Sequence, residues 1–296
     1  MPQTAQVWTV RRLLEWTSGF FARRQLDSPR LSAELLLAHV LQVPRIRLYT
    51  EYERIVEEED LSRFRELVRR AGEHEPIAYL TGQASFFGLE LEVTRDVLIP
   101  RPETETIVEH VLLDARLSGA PPAPRVLDLC TGSGCLAAAI AYHLKSCSVL
   151  GIDISPQAID VARRNIARLQ LEARVVLTVG DLFEPLRSRI TAAPFDLIVA
   201  NPPYIPSGHI DSLDRNVRDY EPRIALDGGA DGLEIIRRIL SEAAQRLQPG
   251  GRCYVEIQFD QAAPVLELAR AAGLVEARVV KDHGGRDRVL IASAPR

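Results

Sequence analysis

The sequence predicts an α/β fold: a doubly wound, mostly parallel seven-stranded sheet, with a small N-terminal helical domain joined to it by a β-hairpin. Three observations carry this. From residue 125 onward, short β-branched apolar runs alternate with helical periods, the pattern of repeated βαβ units. The first of those runs ends in a glycine loop, Cys130-Thr131-Gly132-Ser133-Gly134, that leads straight into a helical stretch. Residues 1–85, by contrast, show only the 3.6-residue apolar period and no alternating pattern.

Composition narrows the function classes. The chain has 296 residues, 46% apolar and 26% charged, with a formal net charge of −4. That is the balance of a globular protein with no overall basic footprint for nucleic acid. No apolar run reaches transmembrane length and no charged-then-apolar leader opens the chain. The cysteines, Cys130, Cys135, Cys147 and Cys253, form no CxxC pair, so a reduced, cytoplasmic protein is expected. The histidines are scattered without metal-ligand spacing, so no metal site is expected.

Taken in order, residues 4–25 repeat apolar side chains at Val7, Val10, Leu14 and Phe21, a helix. Ser28-Pro29 reads as an N-cap with proline at the first helical position, and that helix must end near Pro44. Residues 60–71 bury Leu61, Phe64, Leu67 and Val68, behind an acidic start, Glu57 to Asp60, that complements the helix dipole. Residues 86–93 alternate as a half-exposed strand; Thr94-Arg95-Asp96 turns it and residues 97–99 return, giving the expected hairpin linker at 86–100. Residues 103–117 are helical, 118–124 a linker. Strands are then expected at 125–129, 148–154, 174–179, 195–200, 252–257, 277–281 and 288–292, with helices between, one capped by Ser155 and one by Asp231. The exception is 205–232, a polar stretch punctuated by Pro206, Gly208, Pro222, Gly228 and Gly229. A loop of that length is more often functional than not.

The chemistry concentrates at strand ends. Phe195 to Ala200 is a buried strand, and Asn201-Pro202-Pro203-Tyr204 stops it, because neither proline can donate to a ladder. The result is a rigid turn that offers an amide side chain, unpaired carbonyls and an aromatic ring. A planar NH2-bearing substrate needs those groups: the Asn201 side-chain oxygen and the Pro202 carbonyl accept its two hydrogens, and Tyr204 packs on its face. Binding both hydrogens on one side turns the nitrogen lone pair toward an electrophile on the other. At the first strand, Gly132 and Gly134 permit a tight turn and close backbone approach to a ligand. Asp153 closes the second strand about 20 residues later, where a carboxylate holds ribose hydroxyls. At the end of the third strand, Asp181, Leu182 and Phe183 supply a polar group and apolar surface for an adenine. A dinucleotide or S-adenosylmethionine fits this set; the Asn-Pro-Pro-Tyr turn selects S-adenosylmethionine, because it orients a nucleophilic nitrogen and offers nothing to a hydride.

These residues resemble the class I, Rossmann-like S-adenosylmethionine-dependent methyltransferases that modify amide or exocyclic amine nitrogens. More closely, the chain resembles the HemK/PrmC family, which methylates the glutamine of the Gly-Gly-Gln motif in peptide-chain release factors. The resemblance covers nearly the whole chain. It includes residues 76–82, 86–93, Tyr220-Glu221-Pro222, Asp227 to Gly232, and Ile99-Pro100-Arg101-Pro102-Glu103-Thr104-Glu105, the most family-specific run. It implies cofactor binding by Cys130, Thr131, Gly132, Ser133, Gly134 and Asp153, with Asp181, Leu182, Phe183 and Asn201 completing the site, and glutamine-amide binding by Asn201, Pro202, Pro203 and Tyr204. The catalytic set is then Asn201, Pro202 and Tyr204. The implied domains are 1–85 for substrate recognition and 101–296 for methyl transfer. The implied partners are release factors, with no membrane and no sequence-specific nucleic acid. Cys130 and Gln258 stand where the family commonly has glycine, and Leu182 where it often has an aromatic residue. A ribosomal-protein glutamine methyltransferase shares the Asn-Pro-Pro-Tyr and Cys-Thr-Gly-Ser-Gly motifs but resembles the chain less at 99–105. An adenine-amine DNA methyltransferase would require a basic target-recognition domain that 1–85 does not provide. Intact Asp153 and Asn201 argue against a catalytically silent adaptor.

Overall fold

The computed structural model describes residues 7–116, 121–187 and 194–296. The expected helical residues 4–6 and 117, and linker residues 118–120, lie outside that set. The chain divides into two compact units, one ending at Gly82 and including Asp214–Tyr220, the other comprising Gln83–Leu213 and Glu221–Arg296.

The first unit is helical: α1 (Val10–Arg23), α2 (Pro29–Leu41), α3 (Arg47–Thr50), α4 (Glu58–Gly72) and α5 (Ile77–Thr81). Its core holds the expected Val10, Leu14, Phe21 and Phe64 buried together with Leu36, Leu37 and Leu48, whereas Val7, expected in the same stripe, is exposed. Thr9 caps α1 by accepting from the Arg12 N–H. Ser28 does not cap α2 with its side chain. It adopts a left-handed backbone, and Ser32 Oγ donates to the Asp27 carbonyl there instead.

The second unit opens with a hairpin, β1 (Gln83–Phe86) against β2 (Leu89–Glu92). This corrects the expected register. Phe87 and Gly88 both have positive φ, which is the backbone of a tight two-residue hairpin turn. The chain therefore reverses there and not at Thr94, and residues 97–99 are not a strand. Phe86, Leu89 and Leu91 bury against Ile107, Val108 and Val111 of α6 (Glu105–Asp114), so the hairpin is part of the larger unit's core.

The main sheet follows: β3 (Arg125–Leu129), α7 (Cys135–His143), β4 (Ser148–Asp153), α8 (Pro156–Arg168), β5 (Val175–Val179), α9 (Glu184–Arg187), β6 (Phe195–Ala200), then α10 (Arg215–Arg218), which belongs to the first unit, and α11 (Glu234–Arg246), β7 (Leu247–Glu256), α12 (Ala262–Ala271), β8 (Val275–Lys281) and β9 (Asp287–Ser293). All seven expected strands form one sheet in the order β5-β4-β3-β6-β7-β9-β8, parallel except where β9 pairs with β7 and β8. The order reverses between β3 and β6, which lie side by side with Leu129 opposite Ala200. In open α/β sheets the ligand crevice sits at such a switch point, beyond the strands' carboxyl ends. Both motifs singled out from the sequence leave the sheet there. Among the described residues no helix is long and apolar enough to cross a membrane.

Candidate functional site

The glycine loop is shaped by two aspartates. Asp128, inside β3, is fully buried; its Oδ2 accepts from the Thr131 hydroxyl at 2.5 Å and from the Ala137 N–H at 3.1 Å. Burial, with repulsion from Asp153, pushes its pKa up to about 7. Asp153, at the end of β4, accepts from the Gly132 N–H at 2.8 Å and from the Ser155 N–H at 2.9 Å. Its pKa is raised by burial, against the pull of those N–H groups. Cys130 takes a left-handed backbone, φ 56°, the conformation a glycine would adopt without strain. Gly134, φ 78°, caps α7, and a Cβ there would lie 3.1 Å from the Ala162 side chain. Its role is therefore helix packing.

These groups open onto a cavity of about 470 Å³ within the second unit. Cys130, Thr131, Gly132, Ser133, Asp153, Asp181, Leu182, Asn201 and Pro203 line it, as the sequence reading expected of site residues. The expectation for Phe183 is corrected. Leu182, with φ 51°, turns the chain so that Phe183 enters the core beside Leu127, Leu129 and Ile198, where burying the larger apolar surface is favoured. Gly134, Pro202 and Tyr204 do not line this cavity, although the Pro202 carbonyl has no hydrogen-bond donor among the described residues. Pro202 is buried. The Tyr204 hydroxyl donates to Glu256 Oε1 at 3.0 Å, and burial raises its pKa, so the phenol stays protonated.

Asn201 is held from behind. Its Nδ2 donates at 3.0 Å to Oγ1 of Thr104, a fully buried residue in the Pro100-to-Glu105 run. Among the described residues neither Asn201 Oδ1 nor the Pro202 carbonyl accepts a hydrogen bond. The Tyr204 carbonyl is occupied by Gln261 Nε2, which also binds the Gly232 carbonyl. The loop beyond packs directly on this turn: a Cβ at Gly228 would lie 2.8 Å from Tyr204 Cα, and one at Gly232 would lie 2.4 Å from the Tyr204 carbonyl oxygen.

Sequence reasoning missed several contributors. Asp128 was visible as a lone carboxylate in an apolar strand. Asp96, Val97, Leu98 and Pro100 form one wall and Arg223, Ile224, Ala225 and Asp227 another. Arg101 joins them through an ion pair with Glu221, whose side chain is fully buried and also accepts from the Ile99 N–H. The cavity's charge is informative. Asp96, Asp153, Asp181 and Asp227 line it, and its two arginines, Arg238 and Arg223, pair with Asp181 and Asp227. A net acidic cavity without lysine suits a cationic ligand and opposes a pyrophosphate.

A parallel-sheet switch point carrying a glycine loop, a second-strand acid and an Asn-Pro-Pro-Tyr turn defines a methyltransferase domain. Residues 122–271 match the family described as "Methyltransferase domain", and residues 12–82 match "PrmC N-terminal domain". The Pyrococcus furiosus methyltransferase structure has this fold, with a TM-score of 0.51 and 21% identity over 81% of this chain and 100% of that one. The chain belongs to the release factor glutamine methyltransferase family. It is 45% identical to the Rhodopirellula baltica member over 96% of this chain and 95% of that one. It is 42% identical to the Geobacter sulfurreducens member over 98% of each.

Proposed function

We propose that this enzyme transfers a methyl group from S-adenosylmethionine to the side-chain amide nitrogen of the glutamine in the Gly-Gly-Gln motif of peptide-chain release factors. The observation that carries this reading is Asn201, which lines the cavity with Nδ2 committed to Thr104 and Oδ1 left to accept. Asn201 Oδ1 and the Pro202 carbonyl bind the two amide hydrogens of the glutamine. Asp153 holds the ribose hydroxyls with the lone pairs not used by Gly132 and Ser155, and the acidic cavity favours the cofactor's positive charge. Leu182 and Ile154 give apolar walls for the adenine.

When bound, the cofactor supplies an electrophilic methyl group on a sulfonium. The protein's part is alignment of the nitrogen with that carbon and electrostatic support for a weakly nucleophilic amide through two preorganised acceptors. No general base is required before transfer, because the N-methylated amide cation loses its proton readily to water. Tyr204, held protonated against Glu256, shapes the turn. The helices of 1–82 recognise the body of the release factor. The test is transfer of labelled methyl to a release factor and to its Gly-Gly-Gln→Gly-Gly-Ala variant; label on both proteins, or on neither, refutes the reading.

A further inference from the structure

We propose that Thr104 is a positioning residue for methyl transfer: its hydroxyl, beside the unpartnered buried carboxylate oxygen of Glu256, holds the Asn201 amide with Oδ1 turned toward the cavity. The inference rests on the function proposed above and adds to it a residue that touches neither cofactor nor glutamine.

The argument is one of proton counting. A threonine hydroxyl has one proton and two lone pairs. Thr104 Oγ1 accepts from Asn201 Nδ2 at 3.0 Å. Its own proton needs an acceptor, and the carboxylate beside it is Glu256, 1% exposed at the end of β7. Glu256 Oε1 takes the Tyr204 hydroxyl, while Oε2 is buried with no hydrogen-bond partner among the described residues. A buried carboxylate oxygen in that state is costly, and the Thr104 proton is the group placed to satisfy it. The polarity of the chain then follows: Asn201 donates to Thr104, Thr104 donates to Glu256, and Tyr204 donates to Glu256. An amide flip at Asn201 would set its oxygen against the Thr104 oxygen with no proton between them. An ionised Glu256 therefore fixes which end of Asn201 meets the substrate.

Protonating Glu256 removes this constraint, because Thr104 is then free to donate to Asn201 Oδ1. Burial pushes the Glu256 pKa up to about 7, Glu103 adds repulsion, and Thr104, Tyr204 and Arg288 pull it back; Arg288 is itself paired with Asp282. Single-turnover transfer at saturating cofactor therefore falls as pH is lowered through about 7.

The experiment compares Thr104→Val, Thr104→Ser and Glu256→Gln with the wild-type chain, using intact release factor and labelled S-adenosylmethionine. Thr104→Val, which keeps the shape and loses the hydroxyl, should slow transfer by about 100-fold, the cost of misplacing a reacting group by about an ångström. Calorimetric affinity for the cofactor should stay within about threefold, no more than a weak hydrogen bond's worth. Thr104→Ser should recover most of the rate. Glu256→Gln should be slow and should lose the acid limb of the pH profile, a readout that mere structural support would not move. Active wild type together with an equally active Thr104→Val, or an acid limb that survives in Glu256→Gln, overturns the proposal. If Thr104→Val does not fold, the Glu256→Gln profile alone decides it. An inactive wild type overturns the methyl-transfer reading instead.

Discussion

The Gly132 backbone N–H donates to Oδ2 of Asp153 at 2.8 Å, across 21 residues of sequence. One carboxylate therefore shapes the glycine loop and also faces the ligand cavity. Asp153→Ala removes both actions. Charge-assisted hydrogen bonds contribute about 1.5–3 kcal/mol, so S-adenosylmethionine affinity should fall by about 10- to 100-fold in a calorimetric titration. Asp153→Asn keeps one acceptor for Gly132 and should lose less. Unchanged affinity in the alanine variant would remove Asp153 from the site.

Arg101 and Glu221 join two cavity walls that lie 120 residues apart in sequence. The Glu221 side chain is fully buried and that of Arg101 is 30% exposed. Breaking a buried pair by removing one partner costs about 3–5 kcal/mol, since the remaining charge is stranded. Arg101→Ala should lower the melting temperature and weaken cofactor binding together, whereas Arg101→Met with Glu221→Leu should restore stability but not a well-formed cavity. Thermal melts of the three proteins test this; an Arg101→Ala melt matching wild type would show that the pair does not brace the walls.

Asp128 gives a pH prediction of definite sign. Its pKa is raised from 3.8 to about 7 by burial. Between those values the folded protein binds the extra proton, so this group's contribution to stability is fully present below about pH 4 and is lost as pH rises through about 7, at up to about 1.4 kcal/mol per pH unit. Asp128→Asn cannot titrate. Stability of the wild type relative to Asp128→Asn should therefore increase as pH falls from 7 to 5, measured by urea unfolding of both proteins. A constant difference across that range would mean that Asp128 does not titrate there.

Local signals carried most of the fold. The β-branched runs marked all seven strands of the main sheet, most plainly β3 and β9, which are buried along nearly their whole length and so read as apolar runs. Asn201, Asp153 and the glycine loop were legible because strand ends, prolines and glycines fix the backbone by themselves. The hairpin was misplaced because alternation continues through Phe87, and only the paired positive φ values of Phe87 and Gly88 reveal the turn. Phe183 was misassigned because adjacent residues, Leu182 and Phe183, competed for one cavity position, and the left-handed turn at Leu182 decided between them. Thr104 and Arg101 were visible as motif residues, but their partners lie 97 and 120 residues away. Pairings over such distances come from topology, which residue spacing does not encode.

Asn201 supports the sharpest prediction. Asn201→Ala removes the acceptor facing the cavity and the donor to Thr104, but leaves Pro202, Pro203 and the Gln261 bond to the Tyr204 carbonyl that hold the turn. The fold should therefore survive, and cofactor affinity should change little. Transfer to release factor should slow by about 10²- to 10³-fold, the scale for losing one preorganised group that acts in the transition state. Asn201→Asp keeps an acceptor at the cavity and should retain partial activity, above that of the alanine variant. Its carboxylate cannot donate to Thr104, however, and it brings a second negative charge toward Glu256, so its rate should remain below wild type at every pH. Single-turnover rates at saturating cofactor, with melts of each variant, measure all of this. If Asn201→Ala transfers methyl at the wild-type rate, the turn is structural and the nitrogen is oriented by other groups.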